Sequence, residues 1–164
     1  MTRGIVIAAL LSGGMYWGTQ SAPKSGVDLK IKKETLKSTL TELGYAPKEL
    51  GNGVLEIIVP RNEEKVFVAV SLSTSMSKLW LTGNYGVLTD FEKSSPEFLL
   101  SLLEKNGEIQ PAHFYVRKGK LNIGIPVDNR VATPTVLGKE IQSFADVVVR
   151  TKTFWDRTGD AYRR

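Results

Sequence analysis

The chain contains few side chains that could carry covalent chemistry. Its 164 residues include one histidine, His113, and no cysteine. A two-histidine metal site cannot be assembled from one histidine within one chain, and any histidine-based catalytic triad would have to use His113. The lack of cysteine also removes thiolate nucleophiles, disulfides and cysteine-ligated metals. The sequence therefore predicts a protein that is not an enzyme and that has no cofactor, metal site or catalytic residue.

Short motifs elsewhere do not add up to a catalytic or nucleotide-binding site. Gly51-Asn52-Gly53 begins like a dinucleotide-binding loop, but a strand pattern follows it where phosphate binding requires a helix. It is therefore interpreted as a turn. No Gly-x-Ser-x-Gly elbow surrounds the clustered serines, which are Ser71, Ser73, Ser75 and Ser77. The neighbouring acids lie in polar turns, where solvated carboxylates are common: Glu63, Glu64, Asp90 and Glu92.

Composition and charge are those of an ordinary globular domain with a small basic excess. Apolar residues make up 41% of the chain and charged residues 24%, and the length suits one domain. Lysine and arginine outnumber aspartate and glutamate by 22 to 17, but they are scattered along the chain except in residues 157–164. Proteins that bind nucleic acid concentrate positive charge on one face or stripe. We therefore expect no nucleic-acid partner.

The N-terminal residues have the pattern of an export signal. Arg3 precedes an uncharged, mostly apolar stretch, residues 4–17, and small or polar residues follow as far as Ala22. The stretch is shorter than the roughly twenty residues of a membrane-spanning helix, which favours cleavage near Ala22. Gln20 is large for its place before that cut, so an uncleaved membrane anchor and a buried helix stay open as alternatives. The predicted location is exported, periplasmic or anchored to the inner membrane by the N-terminus.

Four segments are expected along the chain. Residues 1–22 are a signal peptide or N-terminal membrane anchor, residues 23–33 a linker, residues 34–156 an α+β domain and residues 157–164 a polar tail. The domain opens with leucines at helical spacing, and Gly44 ends that helix. These leucines are Leu36, Leu40 and Leu43.

Three strand patterns follow the first helix. Apolar residues alternate over residues 54–59 and 66–73, and a shorter alternating segment covers residues 78–82. Short polar turns join the three segments. Parallel pairing would need a longer crossover between strands, so the pattern predicts an antiparallel meander.

The second half of the domain is predicted to add two helices and a hairpin. Ser94-Ser95-Pro96-Glu97 starts a helix in either of two registers, and Asn106-Gly107 ends it. A hairpin then turns at Lys118-Gly119, and Thr133-Pro134 opens a long helix. The apolar stripe of that helix consists of Leu137, Ile141, Phe144, Val148 and Trp155. The predicted fold is α+β: helix, three-stranded antiparallel meander, helix, β-hairpin and long C-terminal helix.

Aromatic side chains and one arginine are predicted on the strand positions opposite the core. Phe67 and Trp80 belong to the meander, and His113, Tyr115 and Arg117 belong to the hairpin. Aromatic residues and arginine are enriched where proteins bind proteins. These five residues are the candidate contact face for a protein partner. The alternative is that a helix covers Phe67 and Trp80 and that His113 is an ordinary surface residue.

A second hypothesis is a protein that binds a small ligand or a lipid. It would use a pocket between the sheet and the helices, lined by Phe67, Trp80, Phe144 and Trp155. A third hypothesis, an enzyme, would require acids with perturbed pKa values that converge in a cleft. The scarcity of nucleophiles and bases argues against it.

Several local strings, in their order along residues 36–155, resemble the YbjN-like family, whose fold is similar to that of type III secretion chaperones. The first is Leu40-Thr41-Glu42-Leu43-Gly44-Tyr45, at the end of the first helix. Ser95-Pro96-Glu97-Phe98-Leu99-Leu100 opens the second helix, and Leu102-Leu103-Glu104-Lys105-Asn106-Gly107 closes it. The hairpin at residues 112–125 and the helix from Pro134 complete the resemblance.

The resemblance implies the predicted element order, a homodimer and a binding or chaperone-like role without catalytic residues. Secretion chaperones that resemble this fold are usually acidic and cytosolic, whereas this chain is basic and has an export-like N-terminus. Direct escort of secretion effectors is therefore not expected. We expect a non-enzymatic protein-binding module of the bacterial cell envelope, with a protein partner that the sequence does not identify.

Overall fold

The computed structural model describes residues 31–87 and 96–155, with side chains described at 31–83 and 96–152. Within these ranges the chain forms three helices and six strands. The helices are α1 (Leu36–Glu42), α2 (Pro96–Glu108) and α3 (Pro134–Trp155). The strands are β1 (Lys48–Gly51), β2 (Val54–Arg61), β3 (Glu64–Leu72), β4 (Lys78–Val87), β5 (His113–Arg117) and β6 (Lys120–Asp128). The predicted signal peptide or anchor, most of the linker and the polar tail lie outside the described residues.

The six strands form one antiparallel sheet in the order β1-β2-β3-β4-β6-β5. The α+β class is confirmed, and the meander has one strand more than predicted, because β1 pairs with β2. The hairpin joins the sheet through β6, where Leu81 lies opposite Ile125 and Thr82 lies opposite Gly124. This register continues the alternation of side chains from the meander into the hairpin.

One face of the sheet, here called the covered face, consists of the strand positions that point toward α3. Most of its residues are aliphatic and buried, and Ile57, Val68 and Leu81 are fully inaccessible to solvent. α3 contacts β2, β3, β4 and β6. Its stripe belongs to the same buried cluster and consists of Leu137, Ile141, Phe144 and Val148. Full burial of each such side chain contributes about 1.5–3 kcal/mol to the free energy of unfolding.

Polar contacts attach α3 to the rest of the chain. Arg61 Nε lies 2.7 Å from Asp146 Oδ1, and Lys152 Nζ lies 2.8 Å from Glu64 Oε1. Both pairs join α3 to the β2–β3 hairpin. Because partly exposed ion pairs contribute only about 0–1 kcal/mol each, they orient the helix while the apolar stripe provides most of the stability.

α2 lies beside β5, at one edge of the sheet. The Phe114 N–H donates to Asn106 Oδ1 at 2.6 Å, and Asn106 Nδ2 donates to the Phe114 carbonyl at 3.2 Å. One amide side chain thus satisfies both backbone polar groups of an edge residue, which would otherwise be free to pair with another strand. α2 therefore protects this edge at Phe114.

Asn129 fixes the point where the described chain enters the fold. Its buried side chain accepts a hydrogen bond from the Ile31 N–H at 3.1 Å and donates to the Ile31 carbonyl at 2.8 Å and the Met76 carbonyl at 2.9 Å. Ile31, which lies in the predicted linker, is buried as well. The chain is therefore attached to the β3–β4 turn and the end of β6 before α1 begins.

Candidate functional site

The strand positions that point away from α3 form the second face of the sheet, here called the open face. Its aromatic residues are partly exposed, and none of them belongs to the buried core cluster. The open face carries aromatic, small, polar and charged side chains, whereas the covered face is mainly aliphatic. Its central residues are Phe67 and Ala69 of β3, Trp80 and Thr82 of β4, Gly124 and Pro126 of β6, and His113 and Tyr115 of β5.

Three of the aromatic rings on the open face contact one another. The Trp80 and His113 rings meet edge to face, with centroids 6.2 Å apart and an interplanar angle of 77°. The His113 and Tyr115 centroids are 5.7 Å apart, at 41°. Such geometries are favourable for ring pairs beyond the area they bury. Trp80, His113 and Tyr115 therefore form one packed unit, here called the aromatic trio.

Gly124 lies beneath the aromatic trio, and its lack of a side chain makes room for the Tyr115 ring. A Cβ atom at this position would lie 3.0 Å from Tyr115 Cε1 and 3.3 Å from the Leu81 carbonyl oxygen, so the tyrosine ring passes where a side chain would otherwise stand. The Tyr115 hydroxyl also lies 3.4 Å from Thr82 Oγ1. The absence of a side chain at Gly124 lets Tyr115 lie against the backbone, and the weak hydroxyl contact orients it.

The structure places all five predicted contact residues on the open face. Trp80, His113 and Tyr115 lie together in the aromatic trio. Phe67 lies on the same face, opposite Ile58 of β2, and makes no ring contact with the trio among the described residues. Arg117 lies exposed at the end of β5, opposite Lys120. The five residues therefore share one surface, in which the trio is central and the other two are peripheral.

The residues predicted to line a ligand pocket do not come together. Phe144 is 1% exposed and lies on α3 at the covered face, whereas Phe67 and Trp80 lie on the opposite side of the sheet. The side chain of Trp155 lies outside the described residues. A sheet therefore separates Phe144 from the other two aromatics, and the pocket as predicted does not form.

Two clefts in the described part of the chain are open to solvent and bordered by charged as well as apolar residues. One, of about 350 Å³, lies between α1 and the β1–β2 hairpin and includes Lys33, Lys37 and Glu49. The other, of about 200 Å³, lies beside α3 and includes Glu140, Asp146 and Arg150. Neither contains the convergent apolar lining typical of a site for a small molecule. Within the described residues, no group of three histidine or acidic side chains is placed to hold a metal ion.

One ionisable group on the open face titrates far from its ordinary range. Hydrogen bonds from the side chain and then the backbone N–H of Arg130 lower the pKa of Asp128, and Lys78, with its Nζ 3.1 Å from Asp128 Oδ2, lowers it further. The same pairing raises the pKa of Arg130. Asp128 is thus a carboxylate that stays ionised at neutral pH between two cations, which is a structural arrangement and not that of an acid or base catalyst.

Some residues that shape the open face were not singled out from the sequence. Gly124 interrupts an alternating strand, and an isolated glycine within a strand is a signal that another group approaches the backbone closely. Thr82 and Pro126 carry no comparable signal, because their role depends on the pairing of β4 with β6. Long-range strand order cannot be derived from local periodicity.

No protein-family model matches the sequence, and no curated protein is similar to it in sequence. Solved structures share its fold. A chain of the heterodimeric complex ExoU–SpcU, from the type III secretion system of Pseudomonas aeruginosa, has a TM-score of 0.51 and 12% identity over 73% of this chain and 96% of that chain. A chain of the HopA1–SchA chaperone–effector complex has a TM-score of 0.51 and 12% identity over 76% of this chain and 92% of that chain.

A third structure is the complex of the Yersinia pestis type III secretion chaperone SycH with a stable fragment of YscM2. A chain of it is 20% identical over 72% of this chain and 97% of that chain, with a TM-score of 0.44. The first two comparisons show that the fold is similar to that of type III secretion chaperones. At these identities the likeness concerns the fold alone. Membership in the YbjN-like family stays a prediction, since no family model matches.

Proposed function

We propose that the chain is a non-enzymatic, chaperone-like protein that binds a protein partner through the open face of its sheet. The observation that carries this proposal is the aromatic trio, a packed and partly exposed cluster outside the hydrophobic core. Tryptophan and tyrosine are the residues that most often dominate the energy of protein–protein contacts. A cluster that adds little to the core, yet is held in a fixed geometry, is suited to recognition.

Two further observations support protein binding over other functions. The structures that share the fold were solved as complexes of two proteins. The open face also extends beyond the trio through Phe67 and the 47% exposed Ile58, which gives a broad surface in place of an enclosed cavity. Broad surfaces with an apolar centre are typical of contacts with proteins.

The test is to crosslink the full-length chain in the cells that produce it and to measure the protein that co-purifies. Trp80→Ala and Tyr115→Ala should each reduce the captured protein at least about tenfold, because truncating a hot-spot aromatic typically costs about 2 kcal/mol of binding. Val131→Ala is the matched control, since Val131 is apolar, 61% exposed and outside the sheet. Equal capture by all four proteins, with unchanged unfolding temperatures, would contradict the proposal.

We further propose a homodimer formed through α2. Leu100 and Leu103 are 57% and 67% exposed on the helix surface opposite its buried residues Phe98 and Leu102. Large apolar residues exposed in neighbouring turns of a helix are common where a second helix docks. Light scattering on the full-length chain should give a dimer, and Leu103→Glu should convert it to a monomer. A wild-type chain that is strictly monomeric would overturn this proposal without affecting the open face.

The proposed place of action is the bacterial cell envelope, in a protein related to the YbjN-like family. The proposal rests on the export-like pattern of residues 1–22. None of the helices in the described ranges is long and apolar enough to cross a membrane. Cell fractionation combined with N-terminal sequencing of the mature chain should find it outside the cytoplasm, either cleaved near Ala22 or retained at the inner membrane. Recovery of the intact chain in the cytosol would refute it.

A further inference from the structure

The β5–β6 hairpin presents a group of cations at one end of the open face. Arg117 and Lys118 are exposed, and Lys120 is partly exposed. None of the three is in an ion pair among the described residues. At the opposite end of the same face, Lys78 and Arg130 both pair with Asp128. The open face therefore has one end where charge is neutralised and one where positive charge is left unbalanced.

The geometry of the turn keeps these cations together. Lys118 and Gly119 both have positive φ, 51° and 68°, as the two central residues of a tight two-residue hairpin turn require. Arg117 and Lys120 are directly opposite each other in the strand pair. Like charges that face each other across a strand pair destabilise the pairing. Folding stability therefore gives no reason for this arrangement, whereas an acidic ligand would.

We propose that the open face binds a polypeptide segment whose acidic end contacts Arg117, Lys118 and Lys120 while its apolar side chains cover the aromatic trio. The inference rests on the proposed function and adds the chemistry and direction of the bound segment. Arg117 follows Tyr115 on the same face of β5, so a chain that crosses the trio toward the hairpin meets the cations next. A carboxylate there would receive charge-assisted hydrogen bonds from the guanidinium or the ammonium groups.

The rest of the open face favours a polypeptide over a nucleic acid. A single strand of nucleic acid needs positive charge along its backbone and rings with free faces for stacking. Beyond the trio, the face presents Phe67, Ile58 and the carboxylate of Glu56. The rings of the trio also meet at edge-to-face and tilted angles, and so do not form parallel platforms. Cations on the open face lie at the hairpin and at Lys65 of β3, whereas Lys48 lies opposite Glu56 and Lys78 pairs with Asp128. They do not form the continuous positive path that a nucleic-acid backbone needs.

The single histidine makes the inference directly measurable. In a tag-free, full-length chain labelled only at histidine, every imidazole signal in an NMR spectrum comes from His113, within the trio. The probes are three peptides that share one apolar centre and end in a run of glutamate, serine or lysine. We expect the glutamate-ended peptide to shift the His113 signals and to bind about tenfold more tightly than the lysine-ended peptide at low salt, with a preference that weakens as salt is added.

Charge reversal tests the direction of binding. Arg117→Glu should weaken binding of the glutamate-ended peptide about fivefold to tenfold and strengthen binding of the lysine-ended one, because an attraction is replaced by a repulsion. Lys139→Glu is the matched control: it changes the net charge equally but lies exposed on α3, away from the open face. It should leave both affinities unchanged.

Each other outcome overturns a different part of the proposal. If the three peptides shift the His113 signals with equal affinity, the acidic end is wrong and the protein-binding face stands. If none of them shifts the signals, the open face is not a contact surface, and the proposed function fails with the inference. If a single-stranded oligothymidylate shifts the signals at lower concentration than the glutamate-ended peptide, the ligand is a nucleic acid and the inference is overturned.

Discussion

The covered and open faces are built from alternate residues of the same strands, yet their composition differs sharply. Val68 and Leu81 on the covered face are fully buried, whereas their neighbours Phe67 and Trp80 on the open face are partly exposed. The covered face is mainly aliphatic, because a polar group beneath α3 would lose its hydrogen bonds to water, and its charged residues Arg61 and Glu64 pair with Asp146 and Lys152 of α3. The open face combines rings, a glycine and charged groups. The two-residue period of a strand thus separates the residues that stabilise the fold from those proposed to bind a partner.

The largest effect should come from truncating matching phenylalanines on the two sides of the sheet. Phe144→Ala removes a side chain that is 1% exposed and should lower the free energy of unfolding by about 3–5 kcal/mol. Phe67→Ala removes a partly exposed ring and should lower it by less than about 1.5 kcal/mol. Chemical denaturation followed by circular dichroism measures both.

The same two variants should rank in the opposite order when the captured partner is measured. Phe67→Ala should weaken capture of the partner while leaving the fold intact. Phe144→Ala, assayed at a temperature where it is still folded, should capture the partner as the wild type does. Similar losses of stability for the two variants would break the distinction between the faces.

A smaller effect is expected from adding a side chain at Gly124, beneath the aromatic trio. Gly124→Val places a branched side chain 3.0 Å from Tyr115 Cε1 and close to the Leu81 carbonyl. The tyrosine must move outward, at a cost of about 1–3 kcal/mol of stability, and the His113 signals in an NMR spectrum should shift with it. Gly107→Val, at an exposed helical position with no heavy atom within 4 Å of its Cβ, is the control for the loss of a glycine. Unchanged His113 signals in Gly124→Val would show that the arrangement of the trio does not depend on the space left by Gly124.

The smallest effect concerns the neutralised end of the open face. Because Arg130 and Lys78 lower the pKa of Asp128 in the folded chain, the ionised carboxylate stabilises the fold above the ordinary pKa of 3.8, and that stability is lost as the pH falls toward the lowered value. Asp128→Asn should therefore unfold at a slightly lower temperature than the wild type at pH 7. The difference should shrink as the pH is lowered below 3.8. A difference that stays constant from neutral to acidic pH would contradict this account.

Much of the fold could be predicted because periodicity and caps report local structure. Alternation located β2 and β3 and separated their two faces, and Pro96 and Pro134 marked the first residues of α2 and α3. β1 was not predicted, since its residues are all exposed and it exists through pairing with β2 and not through burial. The predicted third strand ended at Thr82, whereas β4 continues to Val87 through Gly83 and Asn84, residues of low strand propensity that pairing with β6 holds extended.

The candidate site could be predicted in composition but not in arrangement. Alternation placed Trp80, His113 and Tyr115 opposite the core, yet it could not show that β6 brings β4 and β5 close enough for their rings to meet. The apolar stripe of α3 was evident, but a stripe does not reveal which face of a sheet it covers. For that reason Phe144 was grouped with Phe67 and Trp80 in one hypothetical pocket, although the sheet lies between them.

Protein binding through the open face is best tested by site-specific photocrosslinking in the cells that produce the protein. A photoreactive phenylalanine analogue replaces Phe67 on the open face in one full-length chain and Lys139, exposed on α3, in another. We expect a discrete crosslink to a protein from position 67 and none from position 139. A crosslink from position 139 alone, or the same crosslink from both positions, would contradict it.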